Sequence, residues 1–426
     1  MATVYIETQG CKLNQADSQA LASCFLQAGY ILVDEPAQAD VHVVNTCTVT
    51  HVADRKARHA LRVARRRNPR ALVVATGCYA QRAPQQLAQF PGIDLVIGNE
   101  QKDALVERVT AVLGLEQATL STDAPQNPRA GAGMRTRAMV KIQEGCDQVC
   151  AYCIVPRVRG RERSVHPDVL VKQVQGLVAE GYREVVLTGT QLGSYGHEIP
   201  GASLASLLRR LLEETAAPRF RVSSLQPQEL GPELLEVWSD PRMCPHFHLP
   251  LQSGSVAVLN AMRRRYTPQQ YVEAVETIHR VIPQGAITAD VIVGFPGETE
   301  EQFQETYKLC QDTQFAGLHV FPFSVRAGTT AAYMTPQVPE TVKRQRMELM
   351  LALATAQAYQ FRTRLLGTTR QVLWETSRPA AEAPVWSGLT DNYVPVATAS
   401  HKPLRNGITP LVLEHVDRET VWGRIP

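Results

Sequence analysis

Cys146, Cys150 and Cys153 lie within the single run Glu144-Gly-Cys146-Asp-Gln-Val-Cys150-Ala-Tyr-Cys153. A C-x3-C-x2-C spacing offers three thiolates to a cubane iron–sulfur cluster and leaves one of its irons without a protein ligand. Such an open iron can chelate the amino and carboxylate groups of S-adenosylmethionine (SAM), and an electron delivered there can break a carbon–sulfur bond. The alternative chemistry is a structural zinc ion, which needs a fourth ligand. The only nearby candidate is His166, thirteen residues beyond Cys153. A 4Fe-4S cluster is the expected occupant of Cys146, Cys150 and Cys153.

A sparser set is informative because of its placement. Cys11, Cys47 and Cys78 each follow a short β-branched run, at residues 4–8, 41–45 and 72–76. In an open parallel sheet the carboxyl ends of the strands converge on the ligand crevice, so cysteines from three strands can meet there and bind a second cluster. Read singly, each is an ordinary small buried hydrophobe. Cys24, Cys244 and Cys310 have no such company, and that plain reading is kept for them.

The elements that position these cysteines are legible in outline. Up to about residue 115, β-branched runs (the last at 95–97) alternate with helical patterns at 15–28 and 54–67, the signature of a parallel α/β sheet. Residues 121–135, rich in Pro, Gly, Ala, Asn and Asp, read as a linker. A second alternation places strands at 138–143, 184–188, 220–223, 246–249, 287–293 and 318–323. Six strand–helix units predict an incomplete (β/α)6 barrel, whose chemistry falls at the carboxyl ends of its strands. Short alternating strands at 369–375, 393–398, 408–416 and 420–425 predict a small all-β module, separate from the barrel. The expected division is 1–120, a linker at 121–135, 136–366 and 367–426.

Bulk properties bound the function. A 426-residue chain with 44% apolar and 20% charged residues is a globular protein of two to four domains, neither disordered nor fibrous. No run of about 18 apolar residues is present, so neither a membrane span nor a signal peptide is expected, and a cytoplasmic address follows. Nine cysteines in such a compartment point to metals or catalysis, away from disulfides. Net charge is only +3, yet all but eight of the 44 basic residues are arginine, the side chain that suits phosphate and base contacts. Eight of them fall within 55–70, which reads either as a phosphate footprint or as a solvated helix face.

Together, Thr8-Gln-Gly-Cys11-Lys-Leu-Asn14-Gln-Ala-Asp17-Ser18, Asn45-Thr-Cys47-Thr-Val-Thr50, Thr76-Gly-Cys78-Tyr-Ala-Gln81 and the three-cysteine loop resemble the methylthiotransferase family of radical SAM enzymes, over nearly the whole chain. The resemblance implies an auxiliary 4Fe-4S cluster on Cys11, Cys47 and Cys78, a SAM-binding 4Fe-4S cluster in the barrel, and a C-terminal TRAM β-barrel that binds RNA. It also implies two uses of SAM, one as methyl donor to a cluster sulfur and one as source of a 5′-deoxyadenosyl radical, with an external electron donor. Gly10-Cys11-Lys12-Leu13-Asn14 and Asn45-Thr-Cys47-Thr-Val-Thr50 are most similar to the branch acting on N6-threonylcarbamoyladenosine in tRNA, at position 37 beside the anticodon. The isopentenyladenosine branch usually has Gln-Met-Asn after the first cysteine; a third branch modifies a ribosomal-protein aspartate.

By the same resemblance, the loop Thr188-Gly189-Thr-Gln191-Leu-Gly193 approaches the methionyl part of SAM, though Gln191 departs from the family's Asn or His. Gln252 and Ser253 (in Pro250-Leu-Gln252-Ser253-Gly254-Ser255) and Asp290 (in Asp290-Val-Ile-Val-Gly294) are expected to line the SAM pocket. Arg159 and Arg161 are expected to meet phosphate or the threonyl carboxylate, or else to form ion pairs at the barrel rim. Family members commonly carry Pro-Tyr-Thr-Arg-Gly at that point, so Arg157 and Val158 are departures. Two readings from other classes remain: an iron–sulfur electron carrier or redox sensor, and a zinc-dependent RNA-binding protein.

Overall fold

The computed structural model describes residues 1–115 and 136–426; the linker expected at 121–135 lies outside the described residues. Five parallel strands open the chain: β1 (Thr3–Thr8), β2 (Ile31–Leu32), β3 (Val41–Thr46), β4 (Leu72–Gly77) and β5 (Leu95–Ile97), in the order β2-β1-β3-β4-β5. Helices cover both faces. Val4, Val41, Val43 and Val74 pack beneath Leu21, Phe25 and Leu105 on one side, while Val44, Val73 and Ala75 pack beneath Ala57, Leu61 and Ala64 on the other. Burial on both sides explains why these strands read as unbroken β-branched runs. The edge strand β2 is only two residues long, which is why no sequence pattern reveals it. In the helix His51–Arg67, Thr50 caps the N-terminus by accepting from Ala53 N. The buried alanines and Leu61 turn inward there and the arginines outward; Arg65 is spent on Asp94 and the Gly92 carbonyl.

The central region forms an open arc of parallel strands, β6 (Arg137–Lys141), β9 (Glu184–Thr188), β10 (Arg219–Val222), β11 (His246–His248), β12 (Ala286–Val293) and β13 (Gly317–Pro322). A short antiparallel pair, β7 (Gln143–Glu144) and β8 (Arg163–Ser164), brackets the three-cysteine loop. The arc consists of two three-stranded sheets, β6-β9-β10 and β11-β12-β13, joined by single bridges such as Ser224 to His248. Residues such as Val140, Leu187, Phe220, Phe247 and Val291 pack outward against the helices, leaving a polar lumen. The free edge at β6 is capped from the N-terminal unit: Gln19 Oε1 accepts from Met139 N at 2.8 Å, and Ala16 packs on Met139 and Val186. Covering an unpaired edge in this way satisfies backbone groups that would otherwise seek another strand.

Five strands close the C-terminal barrel, β14 (Thr369–Arg378), β15 (Val385–Thr390), β16 (Pro395–Ala399), β17 (Ile408–Asp417) and β18 (Thr420–Arg424), in the order β14-β15-β16-β18-β17. Trp374, Val396, Leu411, Leu413 and Val421 fill it, and Trp374 Nε1 donates to Thr409 at 2.8 Å. The four expected strands are present; β15 is an addition, hidden because adjacent Val385 and Trp386 are both buried and break the alternation. The module is not separate from the central arc, as the sequence suggests. Arg221 of β10 donates to the Asp391 carbonyl at 2.9 Å, and Tyr393 stacks on His246 with ring centroids 4.6 Å apart, closing the floor of the lumen. Among the described residues no helix is long and apolar enough to cross a membrane.

That floor is organised by Glu184, fully buried and bonded to Arg219 and to Arg221 Nε at 2.8 Å. Burial works to raise its carboxyl, but Arg221 and Arg219 overcome this and hold it at about 2. Glu184→Gln leaves two buried guanidiniums short of charge, and the expected cost in chemical denaturation at neutral pH is about 3–5 kcal/mol. The native carboxyl lies below its ordinary 4.5, so its stabilisation is complete above that value and is lost as pH falls toward 2. The gap between native protein and variant should therefore narrow over that interval; a constant gap contradicts this account.

Candidate active site

The N-terminal cysteines are brought together by backbone that only glycine permits. Gly10 has φ +94°, and a Cβ there would lie 2.8 Å from Cys47 Sγ; Gly77 has φ +90°, and a Cβ there would lie 2.5 Å from the Thr46 carbonyl. Both let neighbouring loops touch. Asparagines stitch the same loops: Asn14 Nδ2 donates to the Gln9 and Thr46 carbonyls at 2.8 and 3.0 Å, and Asn45 Nδ2 donates to Asn14 O at 2.9 Å. Cys11, Cys47 and Cys78 thus meet where the strand order reverses between β1 and β3, the usual crevice of a doubly wound sheet. Burial drives the Cys47 thiol up to about 12, with Cys11 and Cys78 adding to the effect. Bare, it is an inert thiol; a bound metal centre would displace its proton.

The second trio lies on the loop after β7. Cys146 N donates to Gly160 O at 3.1 Å, Ala151 N to Met262 O at 2.9 Å, and Asp147 and Glu162 exchange hydrogen bonds across its base. Burial raises the Cys146 and Cys153 thiols to about 11 and 12, and each of the two also feels Cys150. Arg264 Nη1 donates to Cys150 Sγ at 3.4 Å while its Nη2 donates to Gln226 at 3.0 Å. No motif in the sequence singles out Arg264; it lies in Arg263-Arg264-Arg265, where position alone distinguishes one arginine from its neighbours.

Between the trios lies Arg159. Its Nε donates to Cys78 Sγ at 3.3 Å and its Nη1 to Asp17 and Glu144 at 2.7 and 2.6 Å, while Nη2 reaches Asn14. Lys102 and Lys141 complete the balance on Asp17, each at 2.9 Å. The structure therefore puts Arg159 inside the seam, its side chain 2% exposed, whereas Arg161 is 87% exposed and pairs with Asp147 at 3.1 Å. Arg161 and Arg163 line a surface cleft of about 340 Å³ beside Asn99 and Gly160.

The remaining expected residues divide. Asp290 faces the lumen and accepts from His248 Nε2 at 3.1 Å and His319 Nδ1 at 3.2 Å. Burial works against its charge, but those two donors hold its carboxyl well below the usual carboxylate range. Gln252 sits beside it with φ +65°, its N–H donating to Asp290 O at 2.8 Å. Gly189 packs on Gln143, whose Oε1 accepts from Thr190 N and Gln191 N at 2.9 Å each and so shapes the glycine-rich loop. Ser253 is fully buried and bonded to Thr306 at 3.0 Å, away from open space. Glu229, not foreseen, receives Gln191 and stands against Gly193; burial raises its carboxyl to about 7.

Both trios fit a cubane cluster. Each supplies three thiols, and Arg159, Asn99 and Arg264 aim N–H groups at Cys78 and Cys150, the kind of donor that stabilises ligand sulfur. Among the described residues the one set of three His, Cys, Asp or Glu side chains whose ligand atoms all lie within 4.8 Å of each other is His248, Asp290 and His319. Neither cysteine trio is drawn in to the spacing of a single ion, and a cubane holds its ligands farther apart. His166 caps the helix Pro167–Ala179, its Nδ1 accepting from Asp168 N.

Comparison with known proteins agrees with this geometry. Residues 3–98 match the uncharacterized protein family UPF0004, and residues 140–310 match the radical SAM superfamily. The threonylcarbamoyladenosine tRNA methylthiotransferase MtaB of Bacillus subtilis is 38% identical over 406 residues, covering 93% of this chain and 90% of the relative. Its namesake in Aquifex aeolicus is 38% identical over 418 residues, covering 96% and 100%. The tRNA-2-methylthio-N(6)-dimethylallyladenosine synthase of Syntrophotalea carbinolica is 36% identical, covering 92% and 93%. The radical SAM methyltransferase TsrM of Kitasatospora setae superposes with a TM-score of 0.55 at 16% identity, over 76% of this chain and 75% of that one, a likeness of fold. With its cysteine trios, its barrel and relatives matched end to end, the chain belongs to the radical SAM methylthiotransferases that modify tRNA.

Proposed function

We propose that this enzyme methylthiolates carbon 2 of N6-threonylcarbamoyladenosine at tRNA position 37, in the cytoplasm, with electrons from an external donor. The observation that carries the two-site chemistry is the pair of thiol trios joined through one buried guanidinium: Arg159 touches Cys78 directly and reaches the Cys146 loop through Glu144. Cys11, Cys47 and Cys78 would hold an auxiliary 4Fe-4S cluster, and Cys146, Cys150 and Cys153 the SAM-binding one. When bound, these groups supply a sulfur carrying SAM's methyl and a 5′-deoxyadenosyl radical, which an unreactive aromatic C–H requires. The protein's part is positional. Gln143 and Gly189 shape the loop at the SAM site, Asp290 and Gln252 line the lumen, and Arg161 on the rim is placed to meet tRNA phosphate. Residues 1–120, 136–366 and 367–426 are proposed as three domains, the last, a TRAM-like barrel, binding RNA.

The names of the Bacillus and Aquifex relatives and the run Gly10-Cys11-Lys12-Leu13-Asn14 support the threonylcarbamoyl substrate. The dimethylallyladenosine synthases, at 34–36% identity, support a second reading. Mass spectrometry of nucleosides from tRNA of cells with and without the gene separates them. Loss of 2-methylthio-N6-threonylcarbamoyladenosine is expected; loss of the dimethylallyl product alone overturns the reading.

Two predictions follow from the division of labour. A folded Cys11→Ala, Cys47→Ala, Cys78→Ala triple variant should keep about half the iron and still form 5′-deoxyadenosine, yet make no methylthiolated nucleoside, whereas Cys146→Ala should abolish SAM cleavage. A methylthiolated product from the triple variant contradicts the two-cluster scheme. Arg159→Ala should cost about 3 kcal/mol of stability, because it breaks two buried ion pairs at once and leaves Asp17 to Lys102 and Lys141, and Glu144 to Lys141 and Arg163. Arg161→Ala should change stability by less than about 1 kcal/mol while reducing the salt slope of tRNA binding by about one. Equal effects of the two substitutions on stability contradict the buried and exposed roles assigned to them.

A further inference from the structure

Lys12 is the first residue of the helix Lys12–Gln27 and follows Cys11 directly. Its side chain enters the lumen from the open side of the arc, Nζ lying 5.4 Å from the Tyr393 ring centroid on the floor. The cations around it are already matched: Arg221 pairs with Glu184, Arg137 with Glu375, and Lys141 with Asp17 and Glu144. The lumen carboxylate Asp290 is likewise taken by His248 and His319. Among the described residues the Lys12 ammonium has neither a hydrogen bond nor an ion pair. A half-buried ammonium that faces a cavity with an aromatic ring beside it and no carboxylate is a ready site for an incoming anion.

We propose that Lys12 reads the substrate, binding the carboxylate of the threonylcarbamoyl group so that the lumen accepts an acidic N6 substituent and rejects a hydrocarbon one. This deepens the reading above and rests on it. The position suits the task, since the base must present carbon 2 beside the Cys11 trio, and Lys12 is the next residue toward the lumen floor. Tyr393 and His246 form an aromatic bed beneath the same spot, 4.6 Å apart. A dimethylallyl group offers no charge and would leave the ammonium desolvated and unpaired. Discrimination through a polar group that the wrong substrate leaves unpaired is the strong kind of specificity.

The test is equilibrium binding of three anticodon stem-loop RNAs to holoenzyme at one salt concentration. One carries N6-threonylcarbamoyladenosine, one its methyl ester and one unmodified adenosine. Phosphate contacts are common to all three, so the acid-to-ester ratio isolates the carboxylate. The native enzyme should prefer acid to ester by about ten- to a hundred-fold, the range for a hydrogen bond to a charged group. Lys12→Met should bring the ratio near one, and Lys12→Arg should retain a preference for the acid. Iron content and circular dichroism must match the native protein, so that loss of the neighbouring Cys11 site is not mistaken for loss of recognition. A Lys12→Met enzyme that still prefers the acid overturns the assignment, as does a native enzyme with no preference. Should nucleoside analysis show only the dimethylallyl product, the functional reading itself has failed; threonylcarbamoyl modification with an unaltered ratio in Lys12→Met removes this inference alone.

Discussion

Arg159 carries a positive charge into a seam where water does not reach, and every group it could bond to is supplied by a different piece of the chain. Asp17 and Asn14 come from the first helix, Cys78 from the end of β4 and Glu144 from the strand before the cysteine loop. Desolvating so many charges gives little net stability. Its consequence is geometric. One guanidinium ties Asp17, Asn14, Cys78 and Glu144 to a single point, and that shared bond sets how the two thiol trios face each other. Arg326 does the same at the far edge, donating to Asp54 at 2.8 Å and to the Thr48 carbonyl at 2.9 Å, one residue from Cys47.

The lumen between these clamps is closed by the other two units. Helix Lys12–Gln27 covers the free edge at β6, and the turn at Tyr393 fills the floor, where Arg137 and Arg221 lie 5.9 and 4.9 Å from its ring. A radical needs such a site, because water and stray hydrogen donors would quench it before transfer. The C-terminal barrel is therefore part of the chamber, besides the RNA-binding role proposed for it. Its deletion would expose the Glu184–Arg219–Arg221 cluster, whose arginines donate to its carbonyls.

Much of this was legible in the residues because short-range chemistry leaves short-range patterns. Strands buried on both faces read as β-branched runs, and three cysteines within eight residues suggest metal ligation. Three cysteines at three strand ends required only the topology of a parallel sheet. Arg159, Arg264 and Glu229 were not assignable in the same way: their partners lie up to 145 residues away, and nothing local tells a buried arginine from an exposed one two positions on. Arg159 and Arg161 share one run, and only the fold separates a 2% exposed side chain from an 87% exposed one. β15 was hidden by adjacent inward residues, and the docking of the C-terminal barrel by its dependence on backbone carbonyls, which no side-chain pattern encodes.

The distribution of charge across the site has a logic of its own. Arg161 and Arg163 are exposed at the rim, the seam holds balanced buried pairs, and among the described residues the Lys12 ammonium in the lumen has neither an ion pair nor a hydrogen bond. On the proposed reading, an RNA backbone meets the first, finds no free partner in the second, and the modified base reaches the third. Long-range attraction without sequence information therefore precedes a short-range contact that carries it. The two are separated by a wall whose own charges are already satisfied, so phosphate cannot compete for the deep site. On that reading net charge can stay near neutral while the surface meets a polyanion, because the charges that would select the substrate are not the ones that would gather it.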